Sequence, residues 1–100
     1  MEGVILLWKA TDRWGNTIEL TEERWNHIAF WHPDLENHLE EILLTLKYGR
    51  RKQDPFEPGK YKYYRKTNAL LPQYNYIVAI VKFVQNNFVI TAYPIFKYSK

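Results

Sequence analysis

The sequence predicts an α+β fold: an N-terminal β-hairpin, two helices, then a mostly antiparallel sheet, in the order β-β-α-α-β-β-β. Three observations predict it. Thr21 to Tyr48 carries apolar residues at helical spacing and most of the acids. Lys60 to Lys66 and the two apolar runs from Tyr76 to Tyr93 have strand composition. Asn86-Asn87 separates those two runs and reads as a hairpin turn. With 100 residues and no repeat, the chain reads as one domain over 1–100, long enough for a real core.

Val4 to Lys9 is expected as a strand, followed by a turn with Gly15-Asn16 at its tip and a second short strand from Thr17 to Leu20. Thr21 suits an N-cap, and Glu22-Glu23 suits the positive end of a helix dipole. The first helix is expected from Glu22 to Trp31, with Trp25, Ile28 and Ala29 inward. Pro33 stops it and opens the second, from Asp34 to about Tyr48. Leu35, Leu39, Ile42, Leu43 and Leu46 form its apolar stripe, Glu36, Asn37, Glu40 and Glu41 its wet face, and Gly49 its end. Arg50 to Gly59 reads as a polar loop, Lys60 to Lys66 as a strand, and a loop through Pro72 leads to the final hairpin.

If Asn86-Asn87 forms a two-residue type I′ turn, the register follows. Lys82 then faces Thr91, and Ile80 faces Tyr93. One face carries Ile77, Ala79, Val81, Phe83, Phe88, Ile90 and Ala92 and should receive the helices. The other collects Lys82, Thr91 and Tyr93 among aliphatic residues. An inward lysine in a central strand has a partner or a task, or it snorkels to solvent on an open face.

The chain has no cysteine, which excludes disulfides, Cys-zinc sites and a Cys nucleophile and is compatible with a reducing cytoplasm. No segment has the length of a membrane span, and the apolar run at Val4 is too short for a signal-peptide core. Gly-rich phosphate loops, nucleophile elbows and paired-carboxylate motifs are missing. His27 and His32 stand five apart, a spacing that does not put two ligands on one helical face, so neither metal nor cofactor is expected. Net charge is +3, and it is unevenly placed. Arg50, Arg51, Lys52, Lys60, Lys62, Arg65 and Lys66 cluster against only Asp54 and Glu57, which makes one side of the molecule basic.

Lys60-Tyr-Lys-Tyr-Tyr-Arg-Lys66 interleaves cations and aromatics, with Lys60, Lys62, Tyr64 and Lys66 on one face. Cations meet phosphates and rings stack bases, so this composition suits single-stranded RNA. An edge strand guarded by lysines has the same composition. His27 lies off the buried stripe of the first helix, where an imidazole is free to act as acid or base. His32 points back toward Trp25 and Ile28 and reads as a junction residue between the helices.

Leu20-Thr-Glu-Glu-Arg-Trp-Asn-His-Ile28, His32-Pro-Asp-Leu35, Tyr63-Tyr-Arg65, Ile77-Val-Ala-Ile-Val-Lys82 and Ile90-Thr-Ala-Tyr93 follow one another along the chain. In this arrangement the chain resembles the phage and bacterial PBECR-type domains of the barnase–EndoU–colicin–RelE (BECR) superfamily of metal-independent RNases, from about Thr17 to Tyr93. Arg50 to Gly59 has no counterpart in the resemblance. The resemblance implies a toxin-like endoribonuclease acting on RNA in the cytoplasm, with an antitoxin or immunity protein as partner. It implies His27, Arg65, Lys82, Thr91 and Tyr93 as site residues; His32 matches the pattern as well. In such a reaction a base takes the ribose 2′-OH proton, the oxygen attacks the adjacent phosphate, and an acid protonates the leaving 5′-oxygen. A module on the same scaffold that binds RNA or protein without cutting has the same sequence features. With helices on one sheet face and Lys82 on the other, His27 joins such a site only around a sheet edge.

Overall fold

The structure, a computed structural model, describes residues 5–70 and 72–97. Its elements are β1 (Leu6–Thr11), β2 (Thr17–Thr21), α1 (Glu22–Trp31), a 3-10 turn (Pro33–Leu35), α2 (Leu39–Tyr48), β3 (Arg50–Gln53), β4 (Lys60–Lys66), β5 (Tyr76–Phe83) and β6 (Asn87–Ile95). They form one six-stranded sheet in the order β1-β2-β6-β5-β4-β3. All neighbours are antiparallel except β2 and β6, which run parallel over Ile18–Asn87 and Glu19–Phe88.

Local signals set α1. The Thr21 hydroxyl accepts from the Arg24 N–H at 3.2 Å, Glu22 and Glu23 fill the first turn, and Pro33 follows the last. The expected second helix is not continuous. Pro33–Leu35 forms a 3-10 turn, His38 leaves helical geometry at φ −126° and ψ 32°, and α2 starts only at Leu39. Asn37 is a poor helix former, and the break lets Leu35 drop into the core independently of the α2 stripe. At Gly49 the chain passes so close to β4 that a Cβ would sit 2.7 Å from the Tyr64 carbonyl oxygen. Only glycine fits this joint between α2 and β3.

The expected polar loop contains a strand. β3 pairs with β4 from Arg50–Tyr64 to Gln53–Tyr61. Four consecutive polar residues show no hydrophobic alternation, so this edge strand is specified by its partner rather than by its own pattern. β1 also sits further along than expected, at Leu6–Thr11, and Val4 lies outside the described residues.

The last hairpin differs from its expected register. Asn86-Asn87 does not form a type I′ turn, since among the described residues no residue other than glycine has positive φ. Instead Val84 to Asn86 form the loop, Phe83 pairs with Asn87, and Lys82 pairs with Phe88 rather than Thr91. A bulge then intervenes: Val81 faces Val89, but Ile80 faces Thr91, leaving Ile90 as the extra residue. Val89 therefore joins the core in place of Phe88 and Ile90, while Ala92 keeps its expected inward face opposite Ala79. An odd shift in register exchanges faces and an even shift preserves them; the bulge converts one into the other.

The bulge frees the Ile90 carbonyl, and α1 uses it. Arg24 donates to that oxygen through Nε at 2.9 Å and Nη2 at 2.5 Å. Both helices cover one sheet face. Ile28, Leu35, Ile42 and Leu46 pack there on Ala10, Ile18, Leu20, Tyr63, Ile77, Ala79, Val81, Val89 and Ala92. Burying each large aliphatic side chain is worth about 1.5–3 kcal/mol, and this layer is the main source of stability. The sheet also curls across it. Asp12, in the β1–β2 turn, reaches the opposite side and accepts from the Tyr63 hydroxyl of β4 at 2.5 Å.

Candidate nucleic-acid interface

Among the described residues no helix crosses the second face of the sheet. Cross-strand pairing puts Arg50 and Lys52 of β3, Lys60, Lys62, Tyr64 and Lys66 of β4, Tyr76, Val78, Ile80 and Lys82 of β5, and Thr91, Tyr93 and Ile95 of β6 on this face. Lys60 to Lys66 extends about 20 Å along one strand. The acids near these cations are Asp54 and Glu57 in the β3–β4 loop and Glu41 of α2, which lines a cleft with Lys66.

Three clefts on this face run into one another. The first, of about 510 Å³, is lined by Lys52, Asp54, Lys60, Lys62, Ile80, Ile90, Thr91 and Tyr93 among others. A smaller one of about 200 Å³ shares Lys52 and Lys62 with it and adds Tyr64, Tyr76, Val78, Ile95 and Lys97. A third, of about 500 Å³, shares Tyr64, Tyr76 and Lys97 with the second and adds Arg13, Tyr48, Gly49, Arg50, Arg65 and Lys66. Together they make a groove with an aromatic and aliphatic floor and cationic sides. The Lys97 ammonium lies 5.8 Å from the Tyr64 ring centre and 5.7 Å from that of Tyr76.

Among the described residues the ion pairs are Arg51–Asp12, Arg65–Glu41 and Lys82–Glu57. Lys82 meets Glu57 at 2.7 Å, and this hydrogen bond and charge hold the Glu57 carboxyl below its ordinary range. Burial pushes the Tyr93 hydroxyl up, so at neutral pH it is a protonated phenol able to donate.

The five residues expected to share a site do not all meet. Thr91 and Tyr93 line the first cleft. Lys82 is on the same face, but it faces Phe88 and Lys60 and is held by Glu57, so the expected Lys82–Thr91 pair does not form. Arg65 alternates to the helix side, where it donates to Glu41 of α2 at 2.5 Å; it reaches only the edge of the third cleft. Glu41, expected on a wet helix face, is half-buried by this contact and by the Thr67 hydroxyl at 2.9 Å. His27 lies beside Trp31, with ring centres 6.5 Å apart, and lines none of the three clefts. His32 lies beside a groove residue, its ring centre 6.0 Å from that of Tyr93. It also serves the helix junction, since its N–H bonds to the Ile28 carbonyl and its own carbonyl accepts from Leu35.

Lys60, Lys62, Tyr64 and Lys66, expected to contact RNA, share the groove face. Sequence reasoning counted Arg50 and Lys52 in the basic cluster but gave them no strand face, and it missed Arg13, Tyr76 and Lys97 as groove residues. The alternation of Arg50 and Lys52 inside the supposed loop was the available signal, because residues two apart share a strand face. Arg13 and Lys97 carried none; the fold brings them in from opposite ends of the chain. Among the described residues no three His, Asp or Glu side chains come together to hold a metal, and no helix is long and apolar enough to cross a membrane. The chain matches no protein-family model, no curated protein and no solved structure.

Proposed function

We propose that the chain binds single-stranded RNA along the open face of its sheet. The observation that carries this reading is the continuous groove, in which tyrosine rings and aliphatic side chains form the floor and lysines and arginines the sides. Unpaired bases stack on aromatic rings while cations meet the phosphates, and both needs are met within one groove. A duplex keeps its bases turned away from such a floor. The Thr91 and Tyr93 hydroxyls supply hydrogen-bonding partners for a ribose 2′-OH. A cysteine-free RNA-binding chain fits a reducing cytoplasm.

A second reading, metal-independent RNA cleavage, is favoured by His32 beside Tyr93, which lines one end of the groove together with Thr91. There an imidazole accepts the 2′-OH proton, the 2′-oxygen attacks phosphorus, and the 5′-oxygen leaves with a proton from an acid such as the Tyr93 phenol. His27 would enter only by a rearrangement of α1. An antitoxin or immunity protein for such an enzyme would cover the cationic groove with acidic side chains.

The test is a pair of titrations. Anisotropy of a fluorescent RNA is expected to show binding that weakens with salt, is stronger for a single strand than for its duplex, and is lost in Lys52→Ala/Lys62→Ala. Equal affinity for single strand and duplex, or indifference to salt, would sink the binding reading. The same RNA incubated with EDTA reports cleavage. Cutting lost in His32→Ala but kept in His27→Ala supports the second reading; an intact RNA at saturation leaves binding alone.

A further inference from the structure

The third cleft differs from the rest of the groove. Arg13, Arg50, Lys66 and Lys97 line it, and among the described residues no carboxylate does. None of these four has an ion-pair partner among the described residues. They come from four places: the β1–β2 turn, the start of β3, the end of β4 and the segment after β6. Assembling four cations without a counter-charge costs electrostatic free energy, which a bound anion relieves. The C-terminal end of α2 at Tyr48 offsets only part of it, about half an elementary charge.

Charge density adds a second argument. Tyr48 and Gly49 at the end of α2 and Arg13 in the hairpin turn line this cleft beside Arg50, Lys66 and Lys97, while Arg65 and Lys66 also line a further cleft with Glu41. An internal phosphodiester carries a single charge and needs chain continuing on both sides. A terminal phosphate carries about −1.5 to −2 and has chain on one side only. Tyr48 is exposed at the rim, with 61% of its surface free, and offers a ring to the adjoining base.

We infer that this cleft recognises a compact phosphate group, the phosphorylated end of an RNA strand or a free nucleotide polyphosphate. The inference rests on the RNA-binding reading for its strand form only; the phosphate pocket stands apart from it. Arg13 and Arg50 form charge-assisted hydrogen bonds to the terminal oxygens, and Lys66 and Lys97 supply point charge.

The experiment titrates the full chain with one 3′-fluorescein RNA of eight nucleotides bearing a 5′-hydroxyl, a 5′-monophosphate or a 5′-triphosphate. A fourth strand carries the label at its 5′ end and a 3′-phosphate. One of the phosphorylated strands is expected to bind about tenfold tighter than its hydroxyl-ended counterpart, the gain of one to two additional charge-assisted contacts. Arg13→Ser/Arg50→Ser should erase that difference, weakening the phosphorylated strand about tenfold more than its hydroxyl-ended counterpart, with the melting temperature unchanged. Equal binding of all ends would overturn the inference and leave the groove intact. A double variant that weakens every strand equally would overturn it too, since the cluster would then be ordinary groove. If no strand binds, the RNA reading fails, and inorganic tripolyphosphate decides the pocket alone. Saturable binding of that ion, lost in Arg13→Ser/Arg50→Ser, supports the pocket, and no binding overturns it.

Discussion

Arg50 and Arg51 are neighbours in β3, yet one residue of separation sends them to opposite faces and opposite fates. Arg51 turns inward. Its guanidinium carbon lies 4.4 Å from the Trp14 ring centre and 4.5 Å from that of Tyr61, and Nη1 sits 3.7 Å from Asp12. Asp12 is itself 6% exposed and accepts from Tyr63, Asn16 and the Trp14 N–H. Every charge there is answered. Arg50 turns outward to a cleft where, Arg65 apart, no cation has an acidic partner among the described residues. The comparison teaches how to read a basic protein: the number of cations says little, and which of them the fold has already neutralised says much. Arg51, Arg65 and Lys82 have acidic partners; Arg13, Arg50, Lys66 and Lys97 have none among the described residues.

Removing the inner answer should have the largest effect. Asp12→Ala leaves Arg51 without its carboxylate and Tyr63 without its acceptor, and is expected to cost about 3–5 kcal/mol in urea unfolding. The pH dependence has a defined sign. Burial acts to raise the Asp12 carboxyl, but hydrogen bonds from Tyr63, Asn16 and Trp14 outweigh it and hold the group below its ordinary range. Its contribution is therefore present above the unfolded-state pKa and lost as pH falls through the folded one. Wild-type stability should drop on the acid side, below about pH 4, more steeply than that of the variant. Coincident acid transitions would show that Asp12 contributes no such linkage.

Next comes the core that both networks border. Leu46→Ala deletes a fully buried side chain of α2 and should cost about 2–5 kcal/mol. A melting temperature close to wild type would place α2 outside the cooperative unit. Tyr63→Phe removes only the hydroxyl that donates to Asp12, with an expected loss of about 1–3 kcal/mol. Should Tyr63→Phe prove as costly as Asp12→Ala, the hydroxyl rather than the arginine would be the main answer to the buried charge.

The outer cations should behave in the opposite way. Lys62→Ala is expected to change stability by less than about 0.5 kcal/mol, while lowering RNA affinity and flattening its salt dependence by about 0.7 in log–log slope. An unchanged slope would mean that Lys62 touches no phosphate. The smallest effect belongs to Glu57→Gln. It releases Lys82 to the groove, so RNA binding should tighten slightly with no change in melting temperature; weaker binding would show that Glu57 helps to hold the RNA.

What the sequence made legible follows the same division between local and distant causes. The first helix matched residue for residue, because Thr21, Glu22-Glu23 and Pro33 act on the backbone beside them. Lys60 to Lys66 matched as well, its alternation being a property of the strand itself. The Asn86-Asn87 turn did not. Asn87 is drawn into β6, where its side-chain amide donates to the Thr17 carbonyl at 3.1 Å and its backbone lies alongside Ile18. A contact across 70 residues outvoted a dipeptide preference. β3 was hidden because four polar residues take their strand identity from β4. Of the candidate site, the lysines and Tyr64 of β4 were readable from period-two spacing. The diversion of Arg65 to Glu41, of Lys82 to Glu57, and the arrival of Arg13 and Lys97 depend on tertiary closure, which no local pattern encodes.

The stitches that close this fold also time it. Tyr63 bonds to Asp12 across 51 residues, Arg24 to Ile90 across 66, and Asn87 to Thr17 across 70. During synthesis the first hairpin and α1 leave the ribosome long before β6 exists to pair with β2. Ala10, Ile18, Leu20 and the inner faces of both helices must then wait without the rest of their sheet. Folding is consequently expected to be slow for a chain of this size and nearly all-or-none. Because Arg13 and Lys97 reach the third cleft only in that final closure, a nascent or partly folded chain would carry the basic residues without the pocket they build.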